Sequence, residues 1–209
     1  MRIAVIGAGS VGRGLASATS ALGHQVVVGV RDPGDPRHAD LPQRTTPPAA
    51  AEAADLVALA VPAGAVRDAL AALALAPPAV VVDATNAVGG PPPEGFDTMG
   101  AFTRSLVPDG VAVVKAFNTI GAEHLATGRV GDSPAFLPIA GDPAGVEVVL
   151  PLARAMGFDA VALGGPEAIR LVEDHARLWI HLMRTGWGRG FGFGVLGGPR
   201  RDQGEGPAR

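Results

Sequence analysis

The sequence predicts an α/β protein: a Rossmann-type doubly wound, mostly parallel sheet with a small C-terminal helical extension. Three observations predict it. The chain opens on the apolar run Ile3 to Ile6, turns through Gly7-Ala8-Gly9-Ser10-Val11-Gly12, and enters an alanine-rich segment from Val11 to Leu22. That is strand, G-x-G-x-x-G turn and helix in the order a dinucleotide site requires. A second apolar strand, Gln25 to Arg31, follows at once. Beyond it, apolar runs alternate with helical segments in a βαβ rhythm, and sequential strands joined by helices imply right-handed crossovers in a parallel sheet.

Each glycine of the turn has its own task. Gly7 allows the tight turn, Gly9 lets the backbone approach a pyrophosphate, and Gly12 lets the helix pack against the strand, leaving free helix N–H groups for the phosphates. Asp55 to Val61 reads as a buried strand ending at Pro62, and Ala65 to Leu75 as a short helix with Val66, Leu70 and Leu73 on one face. Pro77-Pro78 ends it, and Ala79 to Asp83 is the fourth strand. The glycine and proline cluster from Ala84 to Pro93 must be a loop. A helix over Met99 to Leu106 leads to a strand over Val111 to Ala116, and strands over Ala135 to Ala140 and Ala160 to Leu163 enclose a helix from Pro143 to Met156. About seven strands result. The expected division is a dinucleotide-binding domain over 1–165, a C-terminal helix and glycine-aromatic segment over 166–198, and a disordered tail over 199–209.

The end of the second strand bears on which dinucleotide binds. An NAD site places an acid there for the ribose 2′-hydroxyl, an NADP site an arginine for the 2′-phosphate. Here Arg31 precedes Asp32, and Asp32 opens the turn sequence Asp32-Pro33-Gly34-Asp35-Pro36. A planar guanidinium suits a phosphate, and a carboxylate is useful within a turn, so Arg31 favours NADP. A shift of one residue would turn Asp32 toward the ribose instead, so NAD stays open at this point.

Composition narrows the remaining classes. The chain has 209 residues, 47% hydrophobic and 18% charged, which is globular in character. A formal charge of −3, with 17 Lys and Arg scattered along the chain, leaves no basic footprint for nucleic acid. No cysteine is present, which excludes disulfides, thiolate catalysis and Cys-based metal sites. No His-Glu spacing marks a metal site, no apolar run reaches the ~20 residues of a membrane span, and the apolar start belongs to a motif and not to a signal peptide. The expectation is a soluble, cytoplasmic protein without a metal or a membrane partner.

Three loops follow strand ends and should face the cofactor: Val61-Pro62-Ala63, Asp83-Ala84-Thr85-Asn86 and Asn118-Thr119-Ile120-Gly121. Asn86, Thr85, Asn118 and Thr119 can orient a ligand, but no Ser-His-Asp set or paired carboxylates accompany them, so no catalytic residue is assigned. Asp83 reads as a turn or cap residue in preference to a general base, and Lys115, the sole lysine, as an edge residue or the partner of a carboxylate in preference to an acid. The segment Pro166 to Arg184 is the strongest helix, with Ala168, Leu171, Val172, His175, Leu178, Trp179 and Leu182 in a stripe and Glu173 placed to pair with Arg177. A second copy of the chain is the expected cover for that stripe, giving a homodimer. His175 reads as a buried, hydrogen-bonded histidine. From Gly186 to Leu196 glycine alternates with bulky residues, which suits a mobile flap or an edge segment equally.

Taken together, the glycine turn, Val28-Gly29-Val30-Arg31, Val61-Pro62, Lys115-Ala116-Phe117-Asn118-Thr119-Ile120-Gly121, Ala140-Gly141-Asp142 and Leu171-Val172-Glu173 resemble the NADPH-dependent reductases of the deazaflavin coenzyme F420. The resemblance runs from Met1 to about Leu196. It implies hydride transfer between nicotinamide and a stacked deazaflavin without an obligatory acid or base, which is chiefly a matter of proximity and orientation. On that resemblance NADP(H) would be held by Gly7, Ala8, Gly9, Ser10, Val11, Gly12, Arg31, Val61, Pro62 and Asn86. Coenzyme F420, the co-substrate, would face Asn118, Ile120, Gly121 and the segment ending at Leu196. Val30 stands where such reductases often carry a serine, and Asn118 where some carry a histidine. The alternatives are an NADPH-dependent reductase of a flavin or another small acceptor, and a non-catalytic NADP(H)-binding sensor. Dehydrogenases of β-hydroxy acids and imines share the first domain but add a large helical domain, for which the residues after Gly164 are too few.

Overall fold

A computed structural model describes residues 1–41, 43–88 and 90–197. The tail expected over 199–209 lies outside the described residues. The strands are β1 (Arg2–Ile6), β2 (Gln25–Gly29), β3 (Arg44–Thr45), β4 (Leu56–Leu59), β5 (Val80–Asp83), β6 (Ala112–Lys115), β7 (Arg129–Val130), β8 (Ser133–Pro134), β9 (Phe136–Gly141) and β10 (Asp159–Gly164). The helices are α1 (Ser10–Ala21), α2 (Pro47–Ala51), α3 (Val66–Ala71), α4 (Met99–Leu106), α5 (Pro143–Ala155) and α6 (Ile169–Leu182). Eight strands form one sheet in the order β10-β9-β6-β5-β4-β1-β2-β3, while β7 and β8 make a separate short hairpin.

From β3 to β6 the sheet is parallel, with Ile3 beside Val26 on one side and Leu56 on the other, and Val80 beside Ala112. The strand order reverses between β1 and β4, which in a doubly wound sheet opens a crevice at the carboxyl ends. One join is antiparallel: β9 runs against β6, with Lys115 beside Ala140. The connection between them carries a 3-10 turn and the β7–β8 hairpin in place of a crossover helix, and only parallel neighbours require a crossover. The count of about seven strands falls short because β3, β7 and β8 have two residues each, too few to leave a hydrophobic period.

Alternation along the central strands sorts side chains to the two faces. Ile3 and Val5 join Leu15 of α1 and Val149 and Leu152 of α5 in one core layer. Ala4 and Ile6 join Val66 and Leu70 of α3 and Met99 and Phe102 of α4 in the other. A third, smaller cluster seats Ile169 and Val172 of α6 on Ala140 of β9.

The face by which α6 docks differs from the expected stripe. Ile169, Val172, Glu173, Ala176 and Trp179 are buried, whereas Leu171 and Leu178 are 60% and 49% exposed. Glu173 is drawn inward by hydrogen bonds to Met99 and Gly100 N–H, so the anticipated pair with Arg177 does not form; Arg177 binds Asp174 at 3.0 Å instead.

Leu137 of β9 is fully buried in the larger core layer. Leu137→Ala removes three side-chain carbons there and should destabilise the fold by about 2–5 kcal/mol, read as a lowered denaturant midpoint with an unchanged slope.

Candidate functional site

The crevice between β1 and β4 is an open cleft of about 1160 Å³. Its floor is Gly7, Ala8 and Gly9 after β1 and Ala60, Val61 and Pro62 after β4, and one wall is Gly29 to Asp32 after β2. The floor depends on close backbone contact. Gly7 has φ of 109°, and a Cβ on Gly12 would fall 2.0 Å from the Gly7 carbonyl oxygen, so α1 packs directly against the turn. Gly9 differs: a Cβ there meets nothing within 4 Å. The open space lies over the first turn of α1, where Gly9 is the N-cap, no side chain caps the helix and no acid stands in the first turn. Free N–H groups and the positive end of the helix dipole therefore face the cleft. This is a fit for a pyrophosphate, tested on backbone geometry alone.

Arginines surround the same cleft but are not equivalent. Arg13 is spent on structure: its Nε donates to Ala8 O at 3.0 Å, its Nη2 to Arg37 O at 2.6 Å, and its Nη1 pairs with Asp40. Arg37 is engaged by Asp35, holding that carboxyl at a pKa of about 2. Arg31 lines the cleft, is exposed, and has no hydrogen-bond or ion-pair partner among the described residues. Asp32, which also lines the cleft, accepts from Gly34 N–H at 2.9 Å through Oδ1, so one of its carboxylate oxygens serves the turn. Val30 is buried in the core layer beneath. Arg13, Arg37 and His38 line the cleft without having been singled out in the sequence; the position of Arg13 immediately after the third glycine was the available signal.

The other expected residues fall in two places. Ser10 and Val11 open α1 with Gly12 buried behind them. Asn86 and Asn118 lie outside the cleft lining and bind each other: Asn86 Nδ2 donates to Asn118 O at 2.7 Å, and Asn118 Nδ2 to Asn86 Oδ1 at 3.1 Å. Asn118 Oδ1 and Thr119 Oγ1 are buried with no partner. Phe117, just before them, has φ of 62°, a left-handed conformation unusual for a non-glycine residue.

The glycine-aromatic segment folds back over this loop. Phe193 O accepts from Phe136 N–H at 2.9 Å, Phe191 O from Trp179 Nε1 at 3.0 Å, and Arg189 pairs with Glu123 at 3.2 Å. A Cβ on Gly192 would lie 3.8 Å from Ile120, so the segment and the Ile120-Gly121 stretch are neighbours. Leu196, at the far end, is 95% exposed. His175 stands between Phe136 and Phe193, with ring centroids at 5.5 and 4.6 Å, and its Nε2 is buried without a partner. The expected hydrogen bond at that nitrogen is absent because its surroundings there are aromatic.

Residues 2–87 match the model of the family described as NADP oxidoreductase, coenzyme F420-dependent. Among solved structures, the chain is similar to a candidate F420-dependent NADP reductase from Arthrobacter sp. FB24, with 28% identity and a TM-score of 0.80 over 94% of this chain and 99% of that one. A hypothetical protein from Sinorhizobium meliloti is 30% identical, with a TM-score of 0.68 over 79% of this chain and 85% of that one. A reductive aminase from Aspergillus terreus, solved with NADPH and ethyl levulinate, is 19% identical, with a TM-score of 0.62 over 88% of this chain and 60% of that one. That last likeness is one of fold. No curated protein matches the chain.

Burial among the rings lowers the pKa of His175 from its ordinary value. The unfolded chain then binds the proton more readily than the folded one, so this residue's contribution to stability is complete above about pH 6.5 and is lost as pH falls toward the depressed value. His175→Gln should flatten the stability-against-pH curve of the native protein below about pH 6.5, measured by chemical denaturation at each pH. His24, lowered by burial and by the N-terminal ammonium, contributes a slope of the same sign.

Proposed function

The chain belongs to the family of coenzyme F420-dependent NADP oxidoreductases, and from that membership we propose that it transfers a hydride between NADPH and the deazaflavin coenzyme F420. The observation that carries the cofactor half of this reading is Arg31. It is the guanidinium beyond the end of β2 that, among the described residues, has no partner beside a glycine-floored cleft, while Arg13 and Arg37 are engaged. A 2′-phosphate is the ligand group that such a donor fits, and Asp32, the residue that would serve a 2′-hydroxyl, has one carboxylate oxygen bound within the turn. Gly7, Ala8, Gly9, Ser10, Val11 and Gly12 would hold the pyrophosphate, with Val61 and Pro62 along the opposite side.

When bound, NADPH supplies the hydride and the deazaflavin accepts it together with a solvent proton. The chain's part is to bind and orient. Asn86 and Asn118, locked together at the carboxyl ends of β5 and β6, offer polar atoms to the rings, and Ile120, Gly121 and the segment toward Leu196 form the acceptor side. No side chain is required to move a proton in such a transfer, so these residues would act by proximity and orientation. The uncovered half of α6, with Leu171 and Leu178 exposed, is where we place the contact with a second copy of the chain.

Oxidised deazaflavin coenzyme mixed with the protein and NADPH should lose its visible absorbance, with no change when NADH replaces NADPH or FMN replaces the deazaflavin. Persistence of the band with NADPH bound would shift the reading to another acceptor or to a sensor. Arg31→Ala should weaken NADPH binding by about ten- to a hundredfold, roughly 1.5–3 kcal/mol, and leave NADH nearly unaffected; equal losses would remove the 2′-phosphate role. Gly9→Ala has room for its methyl group and should keep the native melting temperature while losing NADPH affinity by titration.

A further inference from the structure

Lys115 is the chain's single lysine and is fully buried. Its Nζ donates to Thr85 O at 2.7 Å and lies 3.2 Å from Asp83 Oδ2 and 3.3 Å from Glu173 Oε1. An ammonium has three N–H donors, and three acceptors surround this one. The acceptors belong to β5, to the loop after it and to α6. Glu173 also accepts from Met99 and Gly100 N–H at the start of α4, at 3.1 and 2.9 Å. Asp83 accepts from Thr103 Oγ1 of α4 at 2.9 Å, and from Thr85 N–H and Oγ1 at 2.8 and 2.7 Å.

Removing an ammonium and two carboxylates from water is costly, and an apolar trio of similar size would hold these elements together at least as well. The distinctive thing the lysine does is grip the backbone of the loop. Thr85, whose carbonyl it holds, precedes Asn86, and Asn86 is bonded both ways to Asn118. Lys115 itself lies three residues before Asn118, with the left-handed Phe117 between them. The network thus fixes both strand ends that carry the asparagine pair, and it leaves Asn118 Oδ1 buried and without a donor.

We propose that Lys115 is a positioning residue, which with Asp83 and Glu173 sets the Asn86–Asn118 pair so that Asn118 Oδ1 accepts a hydrogen bond from an N–H group of the bound ring system. The proposal rests on reading Asn86 and Asn118 as ligand-facing residues.

The test is Lys115→Met in the full chain. Expected is a fall in kcat of about 10- to 100-fold. The readout in the protein alone is the side-chain amide resonances of Asn86 and Asn118, which should move to the positions of unrestrained amides. Unchanged resonances would overturn the proposal. If Lys115→Met does not fold, the double variant Lys115→Met, Glu173→Gln keeps one net negative charge in the network, as in the native protein, and is read the same way; failure of both to fold would make Lys115 a folding residue and also overturn it. A native protein that never reduces the deazaflavin would defeat the functional reading, yet the amide resonances would still decide the positioning role.

Discussion

The packing of α1 on its own turn governs this molecule. With only 2.0 Å between the Gly7 carbonyl oxygen and the site of a Gly12 Cβ, the helix can seat itself here because Gly12 has no side chain. That seat places the free N–H groups of the helix start over the point where the strand order reverses. Gly7 is equally constrained from the other side, since its Cβ would fall 2.5 Å from Ala60 O of the neighbouring crossover. Strand order, helix seat and cleft floor are thus one backbone arrangement. Side chains enter afterwards, and the cleft they line is shaped by where the backbone has already gone.

Charge is handled differently around the cleft and at the carboxyl ends of β5 and β6. Around the cleft, arginines pair on the surface: Arg13 with Asp40 and Arg37 with Asp35, where solvent makes each pair weak and its chief effect is to pin the loop after β2. At the β5–β6 end, Lys115, Asp83 and Glu173 are buried, and burial makes the arrangement all-or-none: a missing partner leaves a desolvated charge behind.

The glycine-aromatic segment is tied to the body of the protein along part of its length. Its backbone is tied to β9 and to Trp179, Phe191 stacks on the Trp179 ring at 5.3 Å, and Arg189 reaches Glu123. Of the two expectations for it, the edge segment describes the tied part from Arg189 to Phe193, and Val195 and Leu196 beyond it are exposed. The glycines permit this course because Gly192 passes within van der Waals range of Val130 and Ala135, where a side chain would not fit without displacement.

By itself the sequence determined what depends on near neighbours in the chain: the strand, turn and helix of the first 22 residues, α4 over Met99 to Leu106, the run of buried strands, and the order Arg31-Asp32. Hydrophobic period and glycine spacing act locally, so they can be read locally. Only the tertiary structure decided which of three cleft arginines is free, that Glu173 turns inward to Lys115 instead of outward to Arg177, that β9 runs against β6, and that Asn86 meets Asn118 across 32 positions. Apart from Arg37 with Asp35, two positions away, these are contacts between residues far apart in the chain. An ion pair or a buried amide is selected by whichever partner the folded elements bring within about 3 Å, and no local pattern encodes that partner.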